Sequence, residues 1–221
     1  MMTFDSIMFS YGTKRILSGV YLTIPRGKIV GLYGINGSGK STLLKIGSGH
    51  LKEADGNVFI NKESYFNKSL INNFKKIAYL SQKSFLPTDL SIKNIVERNR
   101  YDEKPFKKDE LIGKIYSNKI HSISGGELRY FEIKLLFALD REFYLLDEPF
   151  SGIEPILIEK IILLLIEAKR KGKGILITDH FYRYVNEVND ISYVLKDGIC
   201  YKINKNNIDV ELFQFGYKAH V

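Results

Sequence analysis

The stretch Ile29-Val30-Gly31-Leu32-Tyr33-Gly34-Ile35-Asn36-Gly37-Ser38-Gly39-Lys40-Ser41-Thr42 changes character halfway along. Residues 29–33 are apolar and read as a buried strand, 34–39 as a glycine-rich loop, and 40–46 as the start of a helix. Counted from Gly34 to Ser41, the loop fits G-x-x-x-x-G-K-[ST] in the strand–loop–helix context that this pattern requires. Glycines let the backbone wrap closely round phosphates with its N–H groups pointing inward. The helix N-terminus adds partial positive charge. Gly34, Asn36, Gly37, Ser38, Gly39, Lys40, Ser41 and Thr42 are therefore the candidate nucleotide-binding residues. Lys40 is placed to reach the β- and γ-phosphates, and the Ser41 hydroxyl to ligate Mg²⁺. The expected ligand is Mg²⁺-ATP.

Outward from that loop, short β-rich runs alternate with helical stretches, which predicts an α/β domain with a largely parallel core. Strands are expected at 58–60 after an Asp55-Gly56 turn, and at 77–80, 143–146 and 175–178. The stretch 156–171 reads as a well-buried helix stopped by Gly172-Lys173-Gly174. Residues 191–203, with Asp197-Gly198 at the turn, read as a hairpin. Between them, 83–122 carries Pro87, Pro105 and many charges and is expected to form short helices, a smaller lobe inserted into the core. The tail from Asn204 is polar, then bears Phe213, Phe215 and Tyr217, which are expected to pack back on the core.

Phe143-Tyr144-Leu145-Leu146-Asp147-Glu148 is an apolar strand ending in two acids. A carboxylate at a strand end beside a phosphate loop can hold Mg²⁺, a role suited to Asp147. Alternation along a strand aims Glu148 elsewhere, where it can orient and deprotonate an attacking water. An acid pair capping a following helix is the structural alternative.

The bulk numbers set limits. The chain has 221 residues, 44% hydrophobic and 26% charged, with a net charge of +8. That suits one domain of 1–221 with an ordinary core. The lysines are scattered, without a long basic tract, so no nucleic acid is expected as a partner. The lone Cys200 rules out an intrachain disulfide, and His50, His121, His180 and His220 show no metal-ligand spacing. The N-terminal segment carries Asp5 and lacks the apolar core of a secretion signal. The most apolar stretch, 156–166, is interrupted by Glu159 and Lys160 and is too short to span a bilayer.

With these residues in place, the chain resembles the ATP-binding cassette of ABC transporters along its whole length. Ser124-Gly125-Gly126-Glu127 is similar to the family's signature sequence, with Ile123 where leucine is usual and Glu127 where glutamine is commonest. The same residues read as a serine-capped helix start with a capping box. The resemblance implies a P-loop NTPase core with an N-terminal antiparallel β portion. It implies that the signature of one subunit faces the γ-phosphate held by a second. Further roles come only through it. Tyr11 fits the aromatic stacking on adenine, Gln82 a contact to Mg²⁺ and water, and His180 a contact to the γ-phosphate. Ser151-Gly152-Ile153-Glu154-Pro155 fits a loop crossing the dimer interface, though Glu154 replaces the usual aspartate. The implied magnesium ligands are Ser41, Gln82 and Asp147; the implied catalytic residues are Glu148, His180 and Gln82. The implied partners are a second cassette and separate membrane-spanning permease subunits. That places the chain in the cytoplasm, peripheral at the inner face of the membrane. The alternative is a soluble cassette driving iron–sulfur assembly or acting on nucleic acid or ribosomes.

Overall fold

Residues 1–64 and 75–217 are described by a computed structural model of the chain; His220 lies outside them. Along β1 (Met2–Tyr11), Met2, Phe4, Ile7 and Phe9 are buried while polar residues face outward. β1 pairs antiparallel with β2 (Lys14–Ile24) on one edge, Met2 opposite Ile24 and Tyr11 opposite Lys14. On its other edge it pairs antiparallel with β4 (Asp55–Ile60). With β5 (Glu63–Ser64) these form a four-stranded sheet in the order β2-β1-β4-β5.

The second sheet has six strands. β3 (Ile29–Tyr33), β6 (Ile77–Leu80), β7 (Phe143–Asp147), β8 (Gly174–Thr178), β9 (Ile191–Lys196) and β10 (Ile199–Ile203) lie in the order β10-β9-β3-β8-β7-β6. All neighbours are parallel except the β9–β10 hairpin. β3, β7 and β8 are buried at every position, because both faces of the sheet are covered. One face packs on the small sheet and on α1 (Lys40–Gly47), through Phe4, Leu22, Leu32, Leu44, Leu145 and Leu176. The other carries α5 (Gly125–Ala138), α6 (Pro155–Arg170) and α7 (Tyr182–Val188), through Phe131, Tyr144, Ile161, Leu165, Ile177 and Val185.

α6 begins at a proline, whose fixed φ suits a first turn, and stops before Gly172 at φ 78°. Its Leu157, Ile158, Ile161, Ile162, Leu165 and Ala168 are buried at helical spacing. Truncating one such leucine to alanine costs about 2–5 kcal/mol. None of the described helices is long and apolar enough to cross a membrane.

Between β6 and α5 the chain forms three short helices, α2 (Ile92–Arg98), α3 (Lys104–Lys107) and α4 (Glu110–Ile115), and a 3-10 turn at Ile120–Ser122. A single antiparallel bridge, Ser91 to Lys119, ties the ends of this segment. Ser91 caps α2 through the Asn94 amide, and Asp109 caps α4 through the amides of Leu111 and Ile112. α8 (Ile208–Gln214) follows the last strand.

Two expectations are corrected. Asp55-Gly56 is not a turn ahead of the strand but its first residues, with Asp55 opposite Met8. Gly56 has φ 101°, and a Cβ there would lie 2.5 Å from the Ser6 carbonyl oxygen, so a register shift rather than a turn needs the glycine. Of the tail aromatics, Phe215 and Tyr217 pack on the core, but Phe213 points outward and is 67% exposed.

Candidate active site

Every candidate group on the large sheet sits where a parallel strand ends, the edge where open α/β sheets bind ligands. The loop 34–39 leaves β3, Gln82 follows β6, Asp147 and Glu148 end β7, and His180 follows β8. β7 and β8 run in register to their last residues, Asp147 opposite Thr178.

Gly39 caps α1 at φ 106°, in the left-handed region where only glycine is unstrained. A Cβ on Gly34 would lie 2.5 Å from Ser38 Oγ and 2.8 Å from the Leu195 carbonyl oxygen. The loop therefore closes tightly on itself. Lys40 is buried, and its Nζ donates to the carbonyls of Gly34 (2.5 Å) and Ile35 (3.2 Å). Burial lowers the Lys40 pKa, and the charges of Glu148, Asp147 and Asp179 oppose that shift. The lysine and the acids thus share one electrostatic environment. Asn36 and Gly37 stand open to solvent, and the buried Ser38 Oγ has no hydrogen-bond partner among the described residues. An open glycine-rich loop with an unpartnered hydroxyl at a helix start suits an anion.

Asp147 is 1% exposed. Its Oδ1 accepts from Thr178 Oγ1 at 2.8 Å and its Oδ2 from the Tyr79 hydroxyl at 3.4 Å. Glu148 begins the exit loop in the left-handed region, at φ 53°. That turn in the backbone, not simple strand alternation, swings its carboxylate away from Asp147. Its amide donates to the Thr178 carbonyl at 2.8 Å. One carboxylate oxygen accepts from Gln82 Nε2 at 2.8 Å, and the other lies 2.7 Å from His180 Nε2. Asp179 joins the two strand exits, accepting from the amides of Phe150 (2.7 Å) and Phe181 (3.0 Å). Burial raises its pKa, against those two hydrogen bonds.

A further residue holds this cluster from behind. Arg129, on α5 and 8% exposed, donates to the carbonyls of Ser81 (2.7 Å), Asp147 (2.5 Å) and Glu148 (3.1 Å). It also pairs with buried Glu132 at 3.3 Å. Sequence reading passed over Arg129. The available signal was a basic residue between Leu128 and Phe131, on the face of a helix that its neighbours bury.

Ser124 caps α5 by accepting from the Glu127 amide at 3.1 Å, and Glu127 Oε2 accepts from the Ser124 amide at 2.8 Å, completing the capping box. Ser124 and Gly125 are exposed, and a Cβ on Gly125 would meet nothing within 4 Å. Among the described residues no hydrogen bond joins 124–127 to the loop 34–42. Tyr11 also stands apart, 54% exposed at the end of β1, with its ring edge-on to Phe9 at 4.7 Å. The loop 151–154 is mainly exposed, Glu154 included. Beside the phosphate loop lies a cavity of about 400 Å³ whose lining includes Arg15, Asn36, Ser38, Lys196 and Phe215. Its basic residues were not singled out from the sequence because β2 and β9 bring them in from distant segments.

A family model described as ABC transporter matches residues 17–151. The lipopolysaccharide export system ATP-binding protein LptB of Haemophilus influenzae is 31% identical, across 90% of this chain and 88% of that protein. LptB of Escherichia coli K12 is 30% identical, across 89% and 87%. Among solved structures, an ATP-binding subunit of an ABC transporter superposes with a TM-score of 0.84 at 23% identity, covering 99% of this chain and 95% of that one. A dimeric post-hydrolysis cassette bound to ADP and Pi superposes with a TM-score of 0.80 at 24% identity, covering 92% and 99%. The chain belongs to the ABC transporter family, as an ATP-hydrolysing nucleotide-binding cassette.

Proposed function

We propose that two copies of this chain close head-to-tail on two ATP molecules, each held between 34–42 of one copy and Ser124–Gly126 of the other. The observation behind this reading is that the two anion-ready surfaces of one chain are both open and not joined. The loop presents Asn36 and Gly37 to solvent, and the capped start of α5 presents Ser124 and Gly125. A helix start of that kind favours negative charge. Tyr11, exposed at the end of β1, supplies a ring face for the adenine.

Within each site Lys40 offsets phosphate charge. Glu148, held between Gln82 and His180, orients the attacking water and takes its proton. His180 is placed to hold the γ-phosphate end. The oxygen donors available suit Mg²⁺: the Ser41 hydroxyl, the Asp147 carboxylate, whose second lone pairs remain free, and the Gln82 carbonyl, since Gln82 Nε2 is spent on Glu148. Among the described residues no cluster of three or more His, Cys, Asp or Glu could form an all-protein metal cage. A site completed by substrate phosphates fits that donor set. When bound, Mg²⁺ supplies positive charge to the phosphate oxygens. Closure follows from ATP binding the closed arrangement better than the open one. The work is passed to membrane-spanning partner subunits at the inner face of the membrane, with 83–122 as the docking lobe. The likeness to LptB supports an assembly of that transport type.

The test is complementation. Lys40→Ala and Ser124→Arg chains are each expected to be inactive alone. Mixed, they form heterodimers with one intact composite site, and ATPase activity returns. A mixture no more active than the sum of its parts would show that each site lies within one chain. Affinity capture from detergent-solubilised membranes is expected to bring down a multi-span protein; capture of soluble proteins alone would oppose the transport role.

A further inference from the structure

The Tyr217 hydroxyl, far along the chain, accepts a hydrogen bond from the Gly34 amide at the first position of the phosphate loop. The Gly34 carbonyl is taken by Lys40 Nζ from the other side. Both backbone polar groups of Gly34 are therefore occupied, one by the loop's own lysine and one by the chain's tail. The neighbouring Phe215 ring lines the cavity together with Ile35, Asn36, Gly37 and Ser38, and Lys196 Nζ lies 5.8 Å from its centroid.

The same tail touches the other side of the site. The Tyr217 ring meets Tyr182 edge-on, with centroids 6.4 Å apart, and the Tyr182 hydroxyl donates to Asp209 of α8 at 2.7 Å. Tyr182 opens α7, just past His180. Residues 208–217 thus strap the outer wall of the phosphate loop to the segment carrying His180.

We infer that Tyr217 is a positioning residue for nucleotide binding: its hydroxyl fixes the Gly34 peptide and holds the loop 34–39 in its phosphate-ready form before ATP arrives. The inference rests on the reading of 34–42 as the phosphate loop. Burial pushes the Tyr217 hydroxyl up to about 12, so it stays protonated and acts as a neutral acceptor throughout the working pH range. The Gly34 amide faces the tail rather than the loop interior, so nucleotide does not compete for it. A loop that keeps its shape in the free protein avoids ordering cost when it binds. Losing the contact therefore weakens binding and leaves the chemical step alone.

Tyr217→Phe removes the oxygen and keeps the ring. In the full chain, ATP and ADP are expected to bind about fivefold more weakly, the loss of one neutral hydrogen bond. KM for ATP rises by the same factor while kcat stays at the parent value, and the orphaned Gly34 amide lowers Tm only slightly. A merely structural role would lower Tm without that split. Unchanged affinity overturns the inference, and so does a fall in kcat at constant KM. Lys40→Ala is the control. If it binds ATP as tightly as the parent, the phosphate-loop reading itself fails. If only Tyr217→Phe is silent, the loop reading stands and the inference alone is lost.

Discussion

His180 Nε2 lies 2.7 Å from Glu148 Oε1, although the two residues follow different strands. The pairing is set by β7 and β8 ending together, Asp147 opposite Thr178, so that the next turn of each chain delivers a side chain to the same point. His180 is half-exposed while Glu148 is buried. The histidine can therefore swing toward a phosphate without leaving a cavity. His180→Ala is expected to lower kcat by about 10²–10³-fold, the cost of removing one preorganised polar group, with ATP affinity within about threefold of the parent. Steady-state turnover and equilibrium nucleotide binding, measured side by side, check this.

Arg129 is the second point of attack. Its guanidinium satisfies three backbone carbonyls at the exits of β6 and β7 and pairs with Glu132 in a buried setting. Removing it orphans the carbonyls and leaves Glu132 without a counter-charge. Arg129→Ala is expected to cost about 3–5 kcal/mol of stability, read as a lowered urea midpoint. Lysine cannot reproduce the planar fork, so Arg129→Lys is expected to keep the fold but lose turnover. A Lys variant with parent kcat would show that the fork does not position Glu148.

Asp109 makes the short helices sensitive to acid. Burial by itself raises its carboxyl, but hydrogen bonds from Lys134 (2.7 Å), Tyr130 (2.6 Å) and the Ile112 amide outweigh that and hold it below its ordinary 3.8. A depressed folded-state value means that the folded chain favours the carboxylate. The stabilisation is present above the ordinary value and is lost as pH falls through the folded one. Asp109→Asn is expected to cost about 1–3 kcal/mol at pH 7. Its deficit against the parent should shrink below about pH 4. A deficit that stays constant from pH 7 to pH 3 would contradict the assignment.

How much of this was legible in the sequence follows from how local each feature is. The strand Ile29–Tyr33 and the loop after it are written in consecutive residues whose glycines and lysine have few other uses. The strand Ile77–Leu80 was legible to the residue because it is a short apolar run, and α6 to one residue at each end because its buried residues recur at helical spacing between a proline and a glycine. The capping box at Ser124 and Glu127 was legible because its two partners are three residues apart. What stayed hidden depends on pairing across the chain. The strand start at Asp55 is fixed by Met8, and Gly56 looks like a turn until the Ser6 carbonyl is placed beside it. Arg129 gains its partners only when α5 lies across two strand ends. Tyr217 reaches Gly34 across nearly the whole chain, and nothing near either residue announces the other.

In the proposed mechanism Glu148 drives hydrolysis in a site completed by a second copy. Glu148→Gln tests it most directly, because the amide keeps the shape and the contact with Gln82 but cannot take a proton. Mass by light scattering and ATP turnover are measured on the same sample with Mg²⁺-ATP. Turnover is expected to fall by about 10²–10⁴-fold, with a stable dimer that reverts to monomer when ADP replaces ATP. Turnover at the parent rate, or a monomer that holds ATP without dimerising, would contradict it.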